Sequence, residues 1–73
     1  MTSAEAVREA ARIMGSQAEL ARQLNIRTPT VNQWCSGIRP VPAARAVHIE
    51  ALTGGQISRH QLCPSFPWGA EAA

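Results

Sequence analysis

Between Ser16 and Gly37 the chain reads SQAELARQLNIRTPTVNQWCSG, and this stretch constrains the fold more than any other. Ser16 stands three residues ahead of Glu19, the pattern of a capping box at a helix start. Leu20 and Leu24 follow at helical spacing, until Asn25-Ile26-Arg27 breaks the run. Pro29 restarts it, Val31, Trp34 and Cys35 share one side, and Gly37 closes it. Two short helices therefore lie close together, and the second is crowded with Thr28, Asn32, Gln33 and Ser36.

The same punctuation divides the rest of the chain. Capping boxes are expected at Thr2–Glu5 and Ser58–Gln61 as well as at Ser16–Glu19. Pro29 after Thr28 and Pro42 after Val41 suit the first position of a helix, while Gly15, Gly37, Gly54 and Pro64 end periodic segments. Five helices are expected, near 3–14, 17–24, 29–36, 42–53 and 58–63, and at most a short extended piece at 55–57. The fold class is all-α. With 73 residues there is room for one domain of modest core. It should span 1–68, with a helix-turn-helix unit at 17–36 and a frayed tail at 69–73.

Apolar spacing assigns the core to Val7, Ala11 and Met14 on the first helix, Leu20 and Leu24 on the second, and Val31, Trp34 and Cys35 on the third. The fourth offers Val47, Ala51 and Leu52, and Ile26 should plug the gap between the second and third. Large side chains are few, so Trp34 should matter greatly.

Opposite Trp34 the third helix turns outward Pro29, Asn32, Gln33 and Ser36, with Thr28 at its exposed start. No charge interrupts this face, as it would on a merely solvated one. Amides and hydroxyls are what reading base edges requires: Asn and Gln pair bidentately with adenine, and Thr offers thymine a methyl and a hydroxyl. Arg27 before the helix and Arg39 after it are placed to hold the flanking phosphates. The net charge is only +2, but 15–45 carries four arginines against one glutamate, and every cation in the chain is arginine. Its planar fork suits phosphate and guanine. Of the four, Arg22 and Arg45 are read as solvated surface charges rather than ligands.

Here the chain resembles the helix-turn-helix of phage Cro and CI repressors, and more closely the YdaS-type, Cro-like regulators of prophages. Gln17, Leu20-Ala21, Leu24, Ile26, Val31 and QWCSG at 33–37 carry the resemblance, which continues through RPVPAARAVHIEALTGG at 39–55 and SRHQLCPSFPW at 58–68. It implies a Cro/CI-like, lambda repressor-like domain that places its third helix in the major groove of double-stranded DNA. It also implies that Gln17 contacts a phosphate, that Thr28, Pro29 and Gln33 read bases, and that Ser36 binds backbone. Two positions depart from the pattern. Asn25 replaces a turn glycine, as the next best residue for a left-handed conformation. Pro29 stands where relatives often carry a polar reader, and offers apolar contact only.

The expected function is a cytoplasmic transcriptional regulator, a repressor acting by occupancy as a homodimer on a pseudo-palindromic operator. The segment 57–68, with Ile57, Leu62, Phe66 and Trp68, is a candidate dimer surface unless its aromatic residues fold back onto the monomer's core. Two other readings stay open: an antitoxin-like autoregulator that grips a toxin-like protein partner, and an interaction module that keeps the fold without binding DNA. No membrane span or signal peptide is evident. No cofactor, metal or catalysis is expected, because Cys35, His48, His60 and Cys63 match no common finger spacing and capping accounts for Ser16 and Ser58. A disulfide is not expected of the two cysteines either.

Overall fold

The computed structural model describes residues 1–68, so the expected frayed tail at 69–73 lies outside the described residues. The described residues form five α-helices and no strand: α1 (Ser3–Met14), α2 (Gln17–Leu24), α3 (Thr28–Cys35), α4 (Ala43–Leu52) and α5 (Arg59–Leu62). Helices α1, α2 and α3 pack against one another, α4 lies on α2 and α5, and α5 returns to α1.

The caps are legible in atomic detail. Thr2 and Ser58 close reciprocal boxes with Glu5 and Gln61. The box expected at Ser16 is only half formed. Its side chain accepts from the Glu19 N–H, but the Glu19 carboxylate turns along the helix to Arg22 and Gln23. Two charged or amide donors on the next turn outcompete one backbone N–H. Helix α3 begins one residue earlier than expected, at Thr28, with Arg27 as N-cap and no side-chain capping bond. Pro42 is the N-cap of α4 rather than its first residue.

Helix α2 ends in a left-handed residue, Asn25 (φ 57°), and the Ile26 N–H bonds back to the Ala21 carbonyl at 3.0 Å. This turn drops Ile26, half-buried, between the two helices. The same six-residue closure recurs after α3, where the Ile38 N–H reaches the Gln33 carbonyl at 3.0 Å across Gly37. After α4, Gly54 and Gly55 both take positive φ, and the Gly55 N–H reaches the Glu50 carbonyl at 2.9 Å. Beneath that turn lies Thr53, a buried polar residue that is fully satisfied, donating to the Glu50 carbonyl and accepting from the Ile57 N–H.

The core joins Val7, Leu20, Leu24, Val31, Trp34, Cys35, Ile49, Ile57 and Leu62 with alanines that allow close helix approach. Two expectations are corrected. On α1, Ala6 and Ala10 join Val7 and Ala11 inside, while Met14 is half-buried. On α4, Ala46 and Ile49 point inward, Leu52 is half-buried, and Val47 and Ala51 are exposed. Helix α4 is apolar nearly all round, so no polar stripe marks its outer side, and its charged residues lie at its flanks. Arg45 bonds to the Leu24 carbonyl, and Glu50 bonds to Arg59.

The segment after α5 folds back. Trp68 is 7% exposed, and its indole N–H donates to the Cys63 carbonyl at 2.7 Å. Phe66 tilts against its ring, with centroids 4.5 Å apart, and the Arg59 guanidinium lies 5.4 Å from the ring centre. Ile57, Leu62 and Trp68 are thus committed to this molecule's own core, which leaves Phe66 as the segment's exposed large apolar side chain.

Candidate nucleic-acid interface

Helix α3 divides cleanly. Val31, Trp34 and Cys35 are buried, while Thr28, Pro29, Asn32 and Ser36 are exposed and Gln33 is half-exposed. Neither turn of α3 carries a charged side chain. Arg27 and Arg39 are both exposed, one at each end of the helix.

The first helix of the unit meets this face at its start. The Asn32 amide nitrogen donates to the Gln17 side-chain oxygen at 3.4 Å, a long bond on an exposed surface. Gln17, Asn32 and their neighbours therefore form one continuous polar surface across α2 and α3. The exposed Ser36 hydroxyl donates to the Gln33 carbonyl at 3.2 Å, and its oxygen retains the capacity to accept. The residues expected to touch DNA, Gln17, Arg27, Thr28, Pro29, Asn32, Gln33, Ser36 and Arg39, all keep exposed or half-exposed positions on this helix pair and the loop after it.

Two supports for α3 and α2 were not expected from the sequence. Arg8 of α1 donates to the Cys35 carbonyl at 2.5 Å, and Arg45 of α4 donates to the Leu24 carbonyl at 3.2 Å. Each guanidinium satisfies an orphan carbonyl at a helix C-terminus and places a cation at the negative end of the helix dipole. The partners are 27 and 21 residues apart, so no local spacing announces them.

Electrostatics sharpen the contrast between the site and its surroundings. Glu9 pairs with Arg12, Glu19 with Arg22 and Glu50 with Arg59. Hydrogen bonds from those arginines hold the first two carboxyls below the usual range, and Glu50 is lowered chiefly by the Arg59 backbone N–H and then by its guanidinium. Glu5 is lowered by the Thr2 backbone and hydroxyl. Each of these four carboxylates is engaged close to home, and none lies against Arg27 or Arg39.

Beside α3 runs an open cleft of about 630 Å³, lined by Ile26, Arg27, Thr30, Trp34, Arg39, Pro40, Pro42 and Arg45. Among the described residues, no three His, Cys, Asp or Glu side chains gather as metal ligands, and both cysteines are free thiols. Burial pushes the Cys35 thiol up, away from the reactive thiolate. No described helix is long and apolar enough to cross a membrane.

Comparison with known proteins places these features in context. The family described as bacterial toxin YdaS matches residues 7–71. The chain is 38% identical over 61 residues to the "Putative transcriptional regulator YdaS" of Escherichia coli K12, a match covering 84% of this chain and 62% of that protein. It is 40% identical over 57 residues to the "Regulatory protein cro" of Pseudomonas phage D3, covering 74% of each. The chain thus spans less than two thirds of the length of the Escherichia coli relative. No solved structure matches it.

Proposed function

The chain belongs to the YdaS family, and from that membership and the geometry of α3 we propose that it is a transcriptional regulator that binds double-stranded DNA. The relatives named as a transcriptional regulator and as Cro support a regulatory, DNA-binding role rather than an enzymatic one. One observation carries the finer reading: an exposed, charge-free row of amides and hydroxyls on a short helix, with an arginine at either end that pairs with no described carboxylate.

In this reading α3 enters the major groove. Thr28, Asn32 and Gln33 meet base edges, and Pro29 makes apolar contact. Gln17, Arg27, Ser36 and Arg39 grip the sugar–phosphate backbone and set the register. The Gln17–Asn32 bond aligns one backbone contact with one base reader. A single short helix spans few base pairs, so two copies act together as a homodimer, on half-sites about 34 Å apart. Occupancy of such an operator represses transcription.

Selection of bound sequences from a random duplex pool tests this directly. The expected result is an enriched motif with dyad symmetry and binding that weakens steeply with salt. An unenriched pool would overturn sequence-specific recognition, and salt-independent binding would overturn the DNA reading altogether.

A further inference from the structure

Among the described residues, four arginines have no carboxylate partner: Arg8, Arg27, Arg39 and Arg45. Three of them, Arg27, Arg39 and Arg45, line the 630 Å³ cleft beside α3. They arrive from separate elements: the α2–α3 turn, the α3–α4 loop and the first turn of α4. Gathering three like charges around one opening is unfavourable unless an anion enters it. The floor between them is apolar, made by Ile26, Trp34, Pro40 and Pro42, and Thr30 adds a hydroxyl to the lining.

An inorganic anion would have no use for such a floor. A sugar–phosphate unit would: its deoxyribose is largely apolar, and its phosphate accepts several hydrogen bonds. Arg45 spends one nitrogen on the Leu24 carbonyl and keeps further N–H donors for a second partner. We propose that this cleft seats one sugar–phosphate unit of the DNA strand beside the bases that α3 faces, with Arg45 and Thr30 completing a phosphate grip begun by Arg27 and Arg39. The proposal rests on the DNA-binding reading above. It gives Arg45 a role beyond the solvated charge expected from the sequence, and ties that role to the helix pair whose end it caps.

The test is a set of binding titrations on a mixed-sequence duplex, from about 50 to about 200 mM KCl, with thermal melts of each protein. Arg45→Gln removes the charge and keeps a shorter polar side chain, at the cost of the Leu24 bond. It should lower the slope of log K against log salt by about 0.9, equally on every sequence. Thr30→Val removes only the hydroxyl and should weaken binding several-fold on every sequence without altering the slope. An Arg45→Gln protein that keeps the parental slope overturns the proposal, while the parent's binding in the same titration leaves the DNA reading standing. If Arg45→Gln melts well below the parent, Thr30→Val decides alone, and unchanged affinity overturns the seat. A parent that binds no duplex at any salt overturns both.

Discussion

Gln33 and Trp34 are neighbours in the chain and separate in consequence. Trp34 is 4% exposed and wedged among Val31, Cys35 and the rest of the core. Trp34→Ala should cost about 3–5 kcal/mol. A domain of this size has roughly 4–11 kcal/mol in total, so circular dichroism melts should show a large fall in Tm or outright unfolding. The Gln33 backbone carbonyl closes the turn after α3, accepting from Ile38 N–H and the Ser36 hydroxyl, and alanine keeps it. Gln33→Ala should therefore melt like the parent yet lose about 1–3 kcal/mol on the selected operator and little on unrelated DNA. Paired melts and binding curves check both, and an unchanged operator affinity would remove Gln33 from the reading surface. This division was legible in the sequence because helical periodicity separates Val31, Trp34 and Cys35 from Asn32, Gln33 and Ser36. The Arg8–Cys35 and Arg45–Leu24 contacts were not, because each depends on how whole helices meet.

At the scale of elements, caps and stops were readable and faces less so. Residues that cap act within one turn of themselves, so Thr2, Ser58, Asn25 and Gly37 announce their roles locally. The faces of α4 are set by which neighbours it meets, and alanine-rich apolar sequence on all sides gave periodicity nothing to sort. Asn25 tests the local logic. At φ 57° and ψ 45°, a glycine is relaxed and a Cβ without a local polar partner is strained. Asn25→Gly should hold or raise the Tm, and Asn25→Ala should lower stability by about 1 kcal/mol, or roughly 4–8 °C in a melt. Glu50 tests the join between α4 and α5. Its folded pKa is depressed, so the stability it adds is present above the unfolded value, about 4.3, and is lost as pH falls through the folded one. Glu50→Gln should melt below the parent near neutrality, and the gap should close as the pH drops below about 4.3. A gap that stays constant with pH would mean the ion pair contributes nothing.

For the whole molecule, the returning segment 57–68 decides stability. A chain cut after Pro64 loses the buried Trp68 and its bond to Cys63. It should lose about 3 kcal/mol, and the fall in Tm should not depend on protein concentration. An interface role would instead make the loss concentration-dependent, so melts across a dilution series separate the two. The same segment has a consequence in time. The Ser3 hydroxyl donates to the Leu62 carbonyl across 59 residues of chain, and α5 rests on α1. The first helix therefore finds its last neighbour only after nearly all of the described chain exists. While the polypeptide is still being synthesised, α1, α2 and α3 can collapse together, but their shared surface stays open to water along the flank that α5 will cover. The joining of the two ends is a late event, slowed by the length of loop it must close. Until residues 57–68 emerge, the packed helices lack Ile57, Leu62 and Trp68, three of the side chains that complete the core.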